Sequence, residues 1–144
     1  SSVLSIVLTS HMTTPLRRIS DAAQKFGNGD FLQFVFCKLD RGSAVEEIVS
    51  NRAVAPLLWN HSSLYLCGDD WSEFCEAYGE IITGGTYENL ETGYLDWCGI
   101  NYFSPEQMQH IIKRLREEKP KDYPLLLNWL EQGTQYNGFY LLGF

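Results

Sequence analysis

Apolar positions change their period several times along the chain, and each change marks a predicted element. Met108, Ile111, Ile112 and Leu115 recur every three or four residues, which places them on one face of an α-helix. They follow Ser104, Pro105, Glu106 and Gln107: a cap, a proline where no N–H is needed, a carboxylate in the first turn and a glutamine that can close a capping box. Lys113, Arg114 and Arg116 suit the negative end of that helix, and Pro120 stops it. A second helix begins near Asp122 and Pro124, turns Leu126, Leu127 and Leu130 inward and leaves at Gly133. Asn137 and Gly138 then turn the chain into a last strand, Phe139 to Leu142.

Earlier in the chain the signals alternate between strand and helix. Val3 to Thr9 is β-branched and alternating, as in a strand. Thr14 and Pro15 predict a helix start with Ile19, Ala22, Ala23 and Phe26 on its apolar face and Gly27 as its exit. Phe31 to Leu39 is almost continuously apolar, which predicts a central strand covered on both faces. Ser43 with Glu46 three residues later predicts a capped short helix carrying Val45, Ile48 and Val49, closed by Pro56. Ser63 to Cys67 reads as a strand, and the turn Gly68, Asp69, Asp70 is expected to cap a helix from Trp71 to Ile82. On that helix Trp71, Cys75, Tyr78 and Ile82 share one face and Glu73, Glu76 and Glu80 another. Gly84 and Gly85 end it, and residues 86 to 103 predict two or three short strands, with Glu91, Thr92 and Gly93 as the turn between Tyr87 to Leu90 and Tyr94 to Trp97.

This order predicts an α+β domain: a mixed β-sheet of about five or six strands flanked by four or five helices, with a three-layer α/β fold as runner-up. Residues 1 to 144 read as a single domain without repeats or linkers, and a chain of this length can bury a substantial core. His11 and Met12 form the dipeptide that a common cloning site leaves, so residues 1 to 11 are a candidate vector-derived leader and Met12 a candidate natural start. No run is long and apolar enough to predict a membrane span, and no signal peptide is recognisable. Cys37, Cys67, Cys75 and Cys98 lie in core-like surroundings without the density of a disulfide scaffold. Reduced thiols in a bacterial-type cytoplasm are therefore expected. The glycosylation pattern at Asn60, His61 and Ser62 is too short to outweigh that expectation.

Charge is distributed unevenly. Residues 53 to 112 contain no lysine or arginine but nine carboxylates, so this middle carries −9 while each flank carries +1. The same interval holds ten aromatic residues, among them Trp59, Tyr65, Trp71, Tyr94 and Trp97. A field of one sign repels nucleic acid and anionic membranes, which are excluded as expected partners, and attracts a basic protein. Aromatic side chains among the carboxylates supply the anchors an interface needs.

Motifs for phosphate loops, dinucleotides, nucleophile elbows and paired Cys or His metal ligands are missing, which lowers the expectation of an enzyme and leaves no cofactor or metal expected. Glu73, Glu76 and Glu80 with Asp69 or Asp70 would offer oxygen ligands, but without a loop of alternating donors a solvated helix face is the simpler reading. Cys98 is expected in the core, and His110 on the polar side of its helix. The leading expectation is a small, non-enzymatic acidic module that binds a basic protein, in a sharper form an inhibitor or immunity-type protein. Its candidate surface is Asp69, Asp70, Glu73, Glu76, Glu80, Glu88 and Glu91. One alternative is a hydrolase or isomerase that uses carboxylates and His61, oriented by Asp69 or Asp70, in a pocket of Trp59, Tyr65, Trp71 and Trp97. Another is a homo-oligomer that buries the aromatic middle between subunits.

Overall fold

The computed structural model describes residues 31–58 and 62–143, together with the backbone of Leu16–Arg17. Its centre is the strand that the apolar run predicted. Strand β1 (Leu16–Arg17) lies at one edge of the sheet, and β2 (Phe31–Phe36) lies inside it. Leu32, Phe34, Val35 and Phe36 are all buried, because both faces of β2 are covered. Its one polar residue, Gln33, is fully buried and donates from Nε2 to the Leu57 carbonyl at 2.8 Å and to Ser63 Oγ at 2.9 Å. A buried amide is tolerated only when its donors are satisfied in this way.

After β2 come two one-turn helices, α1 (Val45–Ile48) and α2 (Asn51–Val54), then β3 (Leu64–Cys67), helix α3 (Trp71–Tyr78), and the two-residue strands β4 (Gly85–Thr86) and β5 (Thr92–Gly93). Strand β6 (Ile100–Phe103), helices α4 (Pro105–Glu118) and α5 (Tyr123–Gln132), and β7 (Phe139–Gly143) complete the chain. The fold is α+β. Its sheet has the order β1-β3-β2-β7-β6-β4-β5. Every pairing among the described residues is antiparallel, so the expected mixture of directions is corrected. The reason lies in the connection between the neighbours β6 and β7. A single crossover helix reverses the chain twice and would make them parallel, whereas the second helix of the α4 and α5 pair adds a third reversal and returns the chain antiparallel.

Alternation along the strands sorts side chains to two faces. Leu32, Phe34, Phe36, Leu64, Leu66, Phe103, Phe139 and Leu141 pack with Phe74 and Tyr78 of α3 and with the apolar faces of α4 and α5. Phe36 stacks on Trp129 with centroids 3.9 Å apart, and Gly133 lets α5 end directly against that ring, since a Cβ there would lie 2.0 Å from it. The other face carries Val35, Cys37, Ile100, Tyr102, Tyr140 and Leu142 beneath Ile48, Val49 and Val54. Tyr140 donates its hydroxyl to the Ile48 carbonyl at 2.6 Å, which fixes the short helices onto the sheet.

Local signals held to different degrees. The capping box of α4 forms in full, with Gln107 N–H donating to Ser104 Oγ at 3.2 Å and Ser104 N–H to Gln107 Oε1 at 2.9 Å. Met108, Ile111, Ile112, Leu115, Leu126, Leu127 and Leu130 are buried as their spacing required. The box expected at Ser43 and Glu46 does not form: α1 starts from Ala44 without a side-chain cap, and Ser50 instead caps α2 by accepting from Ala53 N–H at 3.2 Å. Pro56 sits inside a 3-10 turn, Ala55–Leu57, that extends α2 and does not break it.

Helix α3 is shorter than expected and starts without a side-chain cap hydrogen bond. Leu16 and Arg17 pair with Leu66 and Tyr65, so the helix expected to start at Pro15 is replaced there by an edge strand. The rest of that prediction, and the strand from Val3 to Thr9, lie outside the described residues. The hairpin after α3 is out of phase with its prediction. Gly93 pairs with Gly85 and Thr92 with Thr86, so two residues of the expected turn are strand and the whole of the expected first strand is loop. Leu90 in the left-handed region (φ 71°) and Asn89, whose Oδ1 accepts from Glu91 N–H at 3.0 Å, make the actual turn.

Four tyrosines are held inside this fold. Burial pushes Tyr65 up to about 12 from 10.0, and raises Tyr78, Tyr102 and Tyr140 further still. Burial also raises the Cys37 thiol from 9.0. A group whose pKa is higher folded than unfolded stabilises the fold below its unfolded value and loses that contribution as pH rises through the folded value. Stability against urea is therefore expected to begin falling above about pH 9 and to drop steeply above about pH 10, with phenolate absorbance rising in step with unfolding. Full phenolate formation near pH 10 in a protein that remains folded would contradict the buried placement.

Candidate functional site

The seven carboxylates singled out by charge do not form one surface. Asp69 and Asp70 occupy the 3-10 turn Gly68–Asp70 that leads into α3. Glu73, in the first turn of α3, is paired: Lys121 Nζ lies 3.1 Å from its Oε1. Glu88 accepts from Asn51 Nδ2 at 3.1 Å and lines a cavity of about 330 Å3 with Val54, Ile100 and Leu142. Those three residues belong to the α1 and α2 face of the sheet, opposite the face that α3 covers. Glu91 is tied to Asn89 within the exposed loop, with Asn89 Nδ2 donating at 3.3 Å.

Glu76 and Glu80, like the exposed Asp69, are not tied up in this way. Both side chains are exposed and have no ion-pair or hydrogen-bond partner among the described residues. Glu76 lies in the last turn of α3 and Glu80 in the turn that follows the helix, and both line a groove of about 560 Å3. Cys75, Ala77, Ile81 and Leu95 give that groove its apolar floor, and Tyr94 and Glu118 stand at its rim. The nearest cation on the neighbouring helix is already engaged: Arg114 Nε donates to Glu118 Oε2 at 2.6 Å, and Arg114 Nη1 donates to the Glu80 carbonyl.

Tyr94 is 80% exposed, more than any other large hydrophobic side chain described. Its backbone is nevertheless pinned. Tyr87 donates its hydroxyl to the Tyr94 carbonyl, and Leu95 packs against the core. The fully buried Asn101 accepts from Asp96 N–H at 2.8 Å and donates from Nδ2 to the Asp96 carbonyl at 2.7 Å and to the Leu141 carbonyl at 2.9 Å. An aromatic ring held out from an anchored backbone pays little entropy on contact with a partner. Leu90 and Trp97, at 44% and 41% exposure, lie in the same segment, so three of the four exposed large hydrophobic residues among those described fall between residues 90 and 97. Trp97 sits beside Trp71, ring centroids 6.3 Å apart, which links the segment to the start of α3.

Of the residues named for a catalytic pocket, Trp71 and Trp97 lie together, and Tyr65 lies apart from them. Tyr65 is fully buried with Cys67 and Phe31 on one face of the sheet, whereas Trp71 packs against the core on the other. Trp59 and His61 lie outside the described residues. Cys98 is exposed, which corrects the expectation of a core thiol: it follows Asp96, whose Oδ1 accepts from Cys98 N–H at 3.0 Å in a surface turn. His110 is exposed on α4 as expected. Among the described residues no group of three His, Cys, Asp or Glu side chains is placed to hold a metal ion, and no helix is long and apolar enough to cross a membrane.

Sequence reasoning singled out Glu76 and Glu80 among seven carboxylates and named Tyr94 among the aromatic residues of the middle, but placed it in a hairpin strand. The available signal was the pair of glycines at 84 and 85 facing Gly93, which permits a close β-bridge one step earlier than expected. No protein-family model matches this chain, and no curated protein and no solved structure matches it significantly.

Gly93 leaves room for the bond that holds Tyr94, since a Cβ there would lie 2.6 Å from the Tyr87 hydroxyl oxygen. Gly93→Ala is expected to push that hydroxyl off the Tyr94 carbonyl, at a cost of about 1 kcal/mol, and Tyr87→Phe to cost a similar amount. Urea unfolding measures both. Wild-type stability in Gly93→Ala would contradict this account of the loop.

Proposed function

We propose that this chain is a small protein-binding module that engages a basic protein partner through the groove between the end of α3 and Tyr94. The observation that supports this reading most directly is the coincidence, in one groove, of two unpaired carboxylates and an exposed aromatic ring on an anchored backbone. Glu73, Glu88, Glu91 and Glu118 have their charge or their hydrogen bonds taken up within the fold, whereas Glu76 and Glu80 do not.

The two kinds of residue have separate tasks. Glu76 and Glu80, within a sixty-residue interval free of lysine and arginine, provide a field that speeds encounter with a positive surface and disfavours a negative one. At physiological salt that field reaches about 8 Å, so it guides the final approach and not long-range capture. Tyr94, with Leu95 and Ile81 beneath, supplies the apolar contact that water must leave. Exposed ion pairs contribute only about 0.2 to 1 kcal/mol each, so most of the affinity is assigned to the aromatic contact and most of the selectivity to the carboxylates.

Affinity capture from cell extract, run in parallel with wild-type protein, Tyr94→Ala and the double variant Glu76→Gln with Glu80→Gln, tests this. The expected result is a captured polypeptide of basic isoelectric point that is released by salt, is lost with Tyr94→Ala and associates more slowly with the double variant. Equal capture by all three proteins, or a captured partner that is acidic, would contradict the proposal.

A further inference from the structure

We infer that the groove selects an arginine side chain, presented on an extended basic segment of the partner, over a lysine of equal charge. This inference rests on the protein-binding reading above and names the group that enters. A guanidinium already bridges two of the groove's lining residues from outside it. Arg114 places one planar guanidinium against the Glu118 carboxylate and the Glu80 carbonyl at once, using two of its donors in different directions. The carboxylates of Glu76 and Glu80, one turn apart and unpaired among the described residues, offer a second pair of acceptors on the same wall.

Tyr94 makes the preference for a planar cation specific. Tyr94 is 80% exposed and lines the same groove as Glu76 and Glu80, so an aromatic ring is available to a cation that enters it. A guanidinium can stack on such a ring while donating in its own plane to carboxylates at its edge. An ammonium is a more strongly hydrated point charge that gains less from the ring and cannot present a planar fork. The floor made by Ala77, Ile81 and Leu95 suits the aliphatic stem of such a side chain. At about 560 Å3 the groove is too large for one side chain alone, which is why the occupant is taken to be a segment of chain.

Cys75 lines the groove and Cys98 is exposed elsewhere, so the protein contains both a reporter and an internal control. The test compares alkylation rates of these two thiols, read by mass spectrometry, while a blocked arginine–glycine peptide or its lysine–glycine counterpart is titrated into the full chain. The arginine peptide is expected to slow alkylation of Cys75 and leave Cys98 unchanged, with half-protection at a concentration about two- to fivefold lower than for the lysine peptide. Tyr94→Ala should erase that difference, leaving two peptides of equal effect.

Equal half-protection by the two peptides in wild-type protein would overturn the inference, as would protection of Cys98 to the same degree as Cys75. If neither peptide protects Cys75 while partner capture still depends on Tyr94, the arginine inference fails and the binding reading stands. If Tyr94-dependent capture is absent as well, both fail.

Discussion

The ladder between β2 and β7 is the constraint on which the rest of the structure depends. Leu32 to Phe36 pair with Gly143 to Phe139, bringing together segments more than one hundred residues apart. Because both strands are buried on both faces, the pairing register decides which side chains meet the long helices and which meet the short ones. A slip of one residue would send Phe34, Phe36, Phe139 and Leu141 to the wrong face and leave Trp129 without the ring on which it stacks. On the other side of β2, Gln33 adds a polar lock to the alignment with β3. Only one alignment places its amide between the Leu57 carbonyl and Ser63, and any other would strand a buried donor.

From that ladder the path to the groove is short. Strand β6 pairs with β7, and its buried Asn101 reaches back to the Asp96 backbone, so the segment carrying Tyr94 is positioned by the core and not by its own weak β-bridge. Gln107 performs the matching task from the other side: after closing the cap of α4 it donates from Nε2 to the Gly84 carbonyl at 2.7 Å, which ties the end of the α3 region to the start of α4. Two satisfied polar side chains thus hold an exposed aromatic and two exposed carboxylates at fixed places. A surface loop built this way can recognise a partner without having to order itself first.

Much of the architecture was legible because it follows from periodicity and local chemistry. The run at residues 31 to 36, the heptad-like spacing of Met108, Ile111, Ile112 and Leu115, and the cap at Ser104 each have a local physical cause, and each appears in the structure. Strand direction had no such local cause, since it depends on how the α4 and α5 hairpin folds back. Residues 85 to 99 were misread for a related reason. Their short strands carry too few residues for alternation to show, and their turn at Asn89 and Leu90 uses a left-handed leucine that no turn rule favours. The candidate site was half legible: charge singled out Glu76 and Glu80 among seven carboxylates, but the pairing of Glu73 with Lys121, 48 residues further on, could not be read from spacing as the i,i+4 pair of Arg114 and Glu118 could.

The central claim is that the carboxylate at Glu80 and the ring of Tyr94 act on one bound cation together. A double-mutant cycle combining Glu80→Gln and Tyr94→Ala, measured as binding free energy toward the captured basic partner, tests this most directly. Joint action predicts a coupling of at least about 0.5 kcal/mol between the two substitutions. Strictly additive losses would show that the two residues contact the partner independently, and would contradict a shared site.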